Sequence, residues 1–372
     1  PWFVLTETGS ATRMGLVFAA EAAPIALLGM PSGAVVQRLG GRTTVLVCDA
    51  VRAPLVALVP LLHLLHALPF AALIGLVIGI GVFTAPYFAA TRMVLPEVIG
   101  EDAARVMQAN ALVEGAQRLT GVAGPAVGGA LIAVLGAANV VWLDAASYAV
   151  AVSLVALLVA ADRTAPTRAD VRGLLVGLRF IARDPVLGPV TLEILLVGLF
   201  IPLLFSGLPL LAFERFGGSA LVAGTLASAW SGGALLGAIG AYRVAARAAP
   251  LTVAAWAAPW FALPIWSLAF AVPAWALALA LAISGCAVPF LNAPVVALLT
   301  VRTPPALRAK VMTTASTAEV ASSPIGYALT GPAFAVLGST GGYALVAAGI
   351  TLAMAILVDT ARRALVSRVV SV

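Results

Sequence analysis

Two stretches of this chain repeat each other at a constant spacing. Arg105-Val106-Met107 returns as Lys310-Val311-Met312, Glu114 as Glu319 and Gly121 as Gly326; 310−105, 319−114 and 326−121 each give 205. The same spacing carries Leu16-Val17 onto Leu221-Val222, Arg38 onto Arg243 and Arg42 onto Arg247. Matches near both ends of each half, in one order, mean two halves built on one plan.

Composition decides what those halves are. Hydrophobic residues make up 62% of the chain, charged residues 10%, and mean hydropathy is +1.10. A water-soluble core needs far less apolar surface. Residues 53–91, 248–301 and 320–358 carry no Asp, Glu, Lys or Arg. Each is long enough for two helical spans of roughly 20 residues. Each also has a turn signal inside it: His63 to Pro69, Ala271-Val272-Pro273, and Gly338 to Gly342. The short alternating segments of an outer-membrane barrel are missing from the pattern. Helical spans are therefore expected at about 14–38, 43–62, 69–92, 102–135, 139–161, 187–211, 219–243, 250–271, 274–300, 306–336 and 340–361. That is eleven full spans, and Pro1 to Leu5 reads as the outer end of a twelfth whose start is missing. A signal peptide is not the expected explanation of that start, since no basic region or small-residue cleavage site is seen in it. In a chain this apolar, a parallel repeat implies two helical bundles around a central path.

Charge placement orients the spans. Alternating the loops puts Arg38, Arg42, Arg92, Arg105, Arg163, Arg168, Arg172, Arg179, Arg183, Arg243, Arg247, Arg302, Arg308, Lys310, Arg362, Arg363 and Arg368 on one side. Only Arg13 and Arg215 fall on the other. The rich side is cytoplasmic by the positive-inside rule, so both termini of the full-length protein are expected there, in the cell membrane. The basic pI of about 10.0 then reflects topology and not nucleic-acid binding.

The expected organisation is a bundle over 1–161, a cytoplasmic linker over 162–186 and a second bundle over 187–372. The linker is the longest polar segment, and Val171 to Ala182 has helical apolar spacing, which suits a helix on the inner membrane surface or a simple tether. Cys48 and Cys286 fall within spans, and His63 and His66 in a solvated outer turn without a carboxylate nearby. No metal, cofactor or disulfide is therefore expected. A membrane enzyme would need clustered Asp, His or Cys, and an ATP-driven pump a P-loop; neither is in the sequence.

The motifs resemble those of the major facilitator superfamily. Gly33-Ala34-Val35-Val36-Gln37-Arg38-Leu39-Gly40-Gly41-Arg42 is similar to its inner loop motif, with Gln37 where the family carries Asp. Gly124-Pro125-Ala126-Val127-Gly128-Gly129 resembles the antiporter element of its fifth helix. Pro1 to Ser10, Leu95-Pro96-Glu97, Gln108-Ala109-Asn110 and Leu143 to Tyr148 resemble the branch of macrolide-efflux pumps and enterobactin-type exporters. The resemblance implies an all-α, two-bundle, 6+6 helix fold. It implies secondary active export of an amphipathic small molecule, drug or siderophore-like, by a monomer in the lipid bilayer with the proton as coupling ion. An importer or facilitator of the same fold is the alternative, and a non-transport membrane enzyme a more distant one.

Site expectations follow from chemistry. Arg38 and Arg42 can bond the partially negative carbonyl ends of neighbouring helices and hold an inner gate, with Gly33 and Gly40 allowing a tight turn. Asp49 and Arg52, three apart, can pair beside that loop. Pro125 removes a helical hydrogen bond, and Gly124, Gly128 and Gly129 offer close packing. Ionisable groups within spans are costly and mark partners or water paths, so Glu21, Glu114, Arg118 and Glu319 are coupling or substrate candidates. Glu114 and Arg118 are four apart, and Glu319 is the repeat mate of Glu114, which suggests a carboxylate pair between halves. Asp144 and Glu193 are expected near the boundaries and solvated. Phe83, Tyr87, Phe88, Trp230, Trp256 and Phe290 are candidates for a substrate cavity.

The topology has a direct check. Single cysteines at Arg172, Arg247 and Lys310, introduced after replacing Cys48 and Cys286, should resist an impermeant thiol reagent in intact cells. A cysteine at Glu214 should react. Labelling of Arg247→Cys from outside would overturn the arrangement.

Overall fold

A computed structural model describes residues 2–99, 103–159, 174–245 and 249–370. The elements run α1 (Trp2–Thr8), α2 (Ala11–Leu39), α3 (Gly41–Leu64), α4 (Phe70–Ile99), α5 (Ala103–Leu135) and α6 (Ala137–Leu158). They continue with α7 (Leu174–Arg183), α8 (Leu187–Arg215), α9 (Ala220–Ala245), α10 (Pro250–Ala262), α11 (Ala274–Arg302) and α12 (Arg308–Val370). Among the described residues, ten helices are long and apolar enough to cross a membrane. Lipid offers the backbone no partners, so a helix that satisfies its own amides is the form such segments take.

The tenth of these, Lys310–Arg363, has 54 residues. At 1.5 Å per residue it would reach about 80 Å, more than twice a hydrocarbon core of about 30 Å. It is two crossings, divided at Gly338, whose φ of 67° and ψ of 176° leave the helical region. Gly40 does the same between α2 and α3 with φ 81°. These are conformations that a Cβ disfavours. The span expected at 250–271 is not uniformly α-helical. It changes to a 3-10 helix over Leu263–Ala269, where Pro264 has no amide to give.

The chain falls into two compact units: Pro1–Thr120 with Ala130–Val171, and Gly121–Gly129 with Arg172–Val372. In the first, α2 packs on α4, and α3 on α4 and α6. In the second, α8 packs on α12, α9 on α11, and α10 on α11 and α12. The second unit depends on backbones that nearly touch. Gly326 on α12 lies against the Leu199 carbonyl, and Gly198 on α8 against the Glu319 backbone and Ser322. Between α9 and α11, Gly285 meets the Trp230 carbonyl. Small residues at such crossings are what hold helices together where lipid supplies no hydrophobic drive. Residues 121–129 of α5 join this unit the same way. Gly129 lies against the Ala220 carbonyl, Gly224 against that of Pro125, and the Ala126 amide donates to Ser228 Oγ at 3.0 Å.

Two arginines tie helix ends. Arg42 donates from Nε to the Val159 carbonyl at 2.7 Å and from Nη2 to that of Ala156 at 3.0 Å, at the carbonyl end of α6. Arg215, closing α8, donates from Nη1 to the Leu268 and Phe270 carbonyls, each at 2.9 Å. Both place a cation on the negative end of a helix dipole. The expected anchoring role therefore rests with Arg42. Arg38 is exposed and has no hydrogen bond among the described residues.

The linker contains structure. In α7, Ile181 is 2% exposed and Gly177 lies against Lys310 and Thr314 of α12. So α7 docks on the second unit. Arg163, Arg168, Arg172 and Arg247 lie outside the described residues. Asp184 then caps α8, accepting from the Val186 and Leu187 amides at 2.8 and 3.0 Å, and meets Arg302 at 3.3 Å. Burial alone would raise the Asp184 carboxyl. The Leu187 and Val186 amides and the Arg302 guanidinium outweigh it and hold the group below the usual carboxylate range. Because the folded-state value is the lower one, this contribution is present at neutral pH. It is lost only as pH falls from the ordinary value of about 3.9 through that lower one.

Two variants separate packing from motif membership. Gly129→Val should lower stability by about 1–3 kcal/mol, because it drives a side chain into the Ala220 backbone. Gly128→Ala faces open space and should be neutral or slightly stabilising. Thermal unfolding of the purified protein checks both. For the anchors, Arg42→Ala should lower the melting temperature while Arg38→Ala leaves it unchanged.

Candidate transport site

In the first unit, four helices converge on one arginine. Arg52 of α3 is 7% exposed and its neighbour Asp49 is 2% exposed. Their closest approach, Nη1 to Oδ1, is 3.6 Å, an ion contact too long for a hydrogen bond. The guanidinium carbon is 4.6 Å from the ring centre of Tyr87 on α4 and 4.5 Å from that of Tyr148 on α6. Cation–π attraction reaches about 2 kcal/mol when the cation is desolvated. Two ring faces thus stand in for water around Arg52. Its Nε and Nη1, and Asp49 Oδ1, have no hydrogen-bond partner. Glu21 on α2 and Asp144 on α6 lie within electrostatic reach of Arg52.

In the second unit, α8, α11 and α12 enclose a cavity of about 180 Å³. Glu193 and Glu319 both line it, with Asn292, Ser316 and the aliphatic Ile194, Val197, Leu291, Val295, Val296 and Leu299. Glu193 is 6% exposed, whereas Glu319 is exposed. The sequence-based expectation of a solvated Glu193 is therefore corrected. Its helix end is near the boundary, but the side chain is buried, on the helix that packs against α12.

The remaining expectations divide. Asp49 and Arg52 are brought together. The Glu114 side chain lies outside the described ones, and so does any pairing of it with Arg118 or Glu319. Trp230 is buried between Phe205 and Phe261, with ring centres at 5.4 and 5.7 Å. Trp256 and Phe290 line an apolar groove of about 430 Å³ between α10 and α11. Trp256 is 74% exposed there, as a ring facing lipid would be. His63 is not a lone loop residue. It stacks edge-on with Phe3 at 4.9 Å and lies 3.8 Å from Glu7. The described residues hold no group of three His, Cys, Asp or Glu that would make a metal site.

Tyr148 as an arginine partner, and Glu193 as a buried carboxylate, are what sequence reasoning missed. A spacing of three announces Asp49–Arg52. Nothing local announces a tyrosine 96 positions away.

Residues 1–369 match the sequence profile of a family described as transmembrane secretion effectors. The multidrug efflux pump Tap of Mycolicibacterium fortuitum is 32% identical over 256 residues, 66% of this chain and 62% of that protein. Tap of Mycobacterium tuberculosis is 28% identical over 192 residues, 49% of this chain and 45% of the pump. The chain thus aligns with less than two thirds of these relatives' length. Among solved structures, the nucleoside transporter NupG superposes with TM-score 0.72 at 12% identity, covering 96% of this chain and 92% of that one. A bacterial homologue of the iron transporter ferroportin, in its inward-facing state, gives 0.71 at 12%, covering 97% and 93%. At such identity these share the fold alone. A match along nearly the whole chain places it in a family, and this multi-pass membrane protein belongs to the transmembrane secretion effectors of the major facilitator superfamily.

Proposed function

We propose that this protein is a secondary transporter of the cell membrane, exporting drug-like small molecules by alternating access while protons move the other way. Its similarity to the Tap pumps supports the direction and the substrate class. The charge asymmetry of the loops supports cytoplasmic termini. In this reading the transporter works as a monomer in the bilayer.

The observation that carries the coupling is Arg52. One guanidinium, boxed by Tyr87 and Tyr148, lies beside Asp49 and within electrostatic reach of Glu21 and Asp144 on membrane helices. Buried charges in lipid persist where they are used. Negative charge is in excess here, so binding and release of a mobile cation changes how well the cluster is satisfied. That change is what a carrier needs to link a proton to a rearrangement. In this reading Glu21, Glu114, Arg118 and Glu319 are coupling or substrate positions. Gly33, Arg38, Gly40 and Arg42 form the inner gate, and Gly124, Pro125, Gly128 and Gly129 the packing element beside α9.

Inside-out vesicles carrying the full-length protein should accumulate a fluorescent drug when the lumen is made acidic. Accumulation that ignores the pH gradient would overturn proton coupling, and net movement in the opposite direction would overturn export. Arg52→Lys keeps the charge but cannot lie flat between two rings. It should lower uphill transport at least tenfold at near-normal expression. Unchanged transport would reduce Arg52 to a packing residue.

A further inference from the structure

The cavity between α8, α11 and α12 has an unbalanced chemistry. Glu193 and Glu319 both line it, and the lining contains no Lys, Arg or His. Glu193 is more than nine-tenths buried, lines the cavity, and has no hydrogen bond or ion pair among the described residues. The other charged group lining the cavity is Glu319, of the same sign. A carboxylate placed this way lacks the cation that buried charges ordinarily keep. The other lining groups specify the missing cation. Asn292 and Ser316, both exposed with Glu319 at the mouth, offer further oxygen acceptors. The walls are aliphatic apart from the thioether of Met312, and no aromatic side chain is among the described lining. Quaternary ammonium ions have no N–H to donate and are typically held by aromatic faces. This cavity offers the reverse: acceptors for N–H donors and no ring.

We propose that this cavity seats a protonated aliphatic amine. Its ammonium donates to Glu193 at the closed end and Glu319 at the mouth, and its first carbons lie against Ile194, Val197 and Val295. The size fits a head group and not a whole drug. At about 30 Å³ per water-sized group, 180 Å³ holds roughly six non-hydrogen atoms. Drug-sized ligands need about 300 Å³ or more. The site therefore takes a small amine entire, or the amine end of a larger molecule whose remainder lies beyond the mouth. This deepens the export reading, on which it rests for its biological meaning, by naming a substrate class.

The test is equilibrium binding to the purified full chain in lipid nanodiscs, with protein-free discs as the blank and no gradient imposed. The probes are hexylammonium, hexyltrimethylammonium and hexan-1-ol. Hexylammonium should bind at least tenfold more tightly than the other two. Glu193→Gln and Glu319→Gln should each weaken it at least tenfold, about 1.4 kcal/mol. Both substitutions keep side-chain size, and a melting temperature no lower than the parent's with an unchanged hexan-1-ol affinity would show the fold intact. Equal affinity for the ammonium and trimethylammonium probes would overturn the proposal, as would parent-like binding by both variants. A shifted pH profile of efflux in the variants with unchanged hexylammonium affinity would also overturn it, because the pair would then hold only a proton. Binding here and failure of accumulation in vesicles would remove the export reading and leave the site standing.

Discussion

The second unit is organised by backbones that approach until no Cβ fits between them. Gly198 against Glu319 and Ser322, and Gly326 against Leu199, fix how far apart α8 and α12 can be and where each faces the other. In water the hydrophobic effect would supply that association. In lipid it comes from dispersion and weak polar contacts, which fall off within an ångström, so the glycines are indispensable to the geometry. The carboxylate cavity depends on this crossing. Glu319 offers its backbone to Gly198 and its side chain to the cavity, and Glu193 lies five residues before Gly198 on the same helix. The crossing that brings the helices together also brings the acids together.

The two halves share a plan and not a chemistry. The 205-residue spacing that relates Arg42 to Arg247 carries Asp49 and Arg52 onto Ala254 and Ala257, both buried. The first unit thus buries a cation with its own acids and two tyrosines. At the equivalent place the second unit has alanines, and its buried Glu193 stands with the exposed Glu319 in another cavity whose described lining holds no cation. A fixed guanidinium supplies positive charge in one unit, whereas in the other that role falls, in the amine proposal, to a mobile ligand. A repeat preserves helix lengths and loop charges because those set insertion and topology. Interior charges are free to diverge because each needs only local satisfaction.

The helical spans were legible because burying an apolar run in lipid is a local property, readable from about twenty consecutive residues. Arg42 was legible for a similar reason, since a basic residue beside a helix end seeks carbonyls. Which arginine would do so was not, because Arg38 and Arg42 differ in which side of the turn they leave. The hidden features all depend on partners distant in sequence. Glu193 is buried on a helix packed against α12 and shares a cavity with Glu319, 126 positions away, Arg52 is enclosed by rings 35 and 96 positions away, and His63 meets Glu7 across 56 positions. Side-chain period reports which face of a helix is apolar and says nothing of what that face meets.

An uncompensated acid in a membrane bundle has an energetic consequence. Leaving a buried polar or charged group unpaired costs about 1–3 kcal/mol, and more when the charge is full. A ligand that supplies the missing partner recovers that penalty, so occupancy and stability of the C-terminal unit are linked. At a hundred times its dissociation constant a ligand adds about 2.7 kcal/mol to the form that binds it. That is comparable to the gap between conformers of a switching protein, and a cation entering or leaving can therefore decide which conformer prevails. A pair already neutralised by a lysine would have been more stable and could not respond.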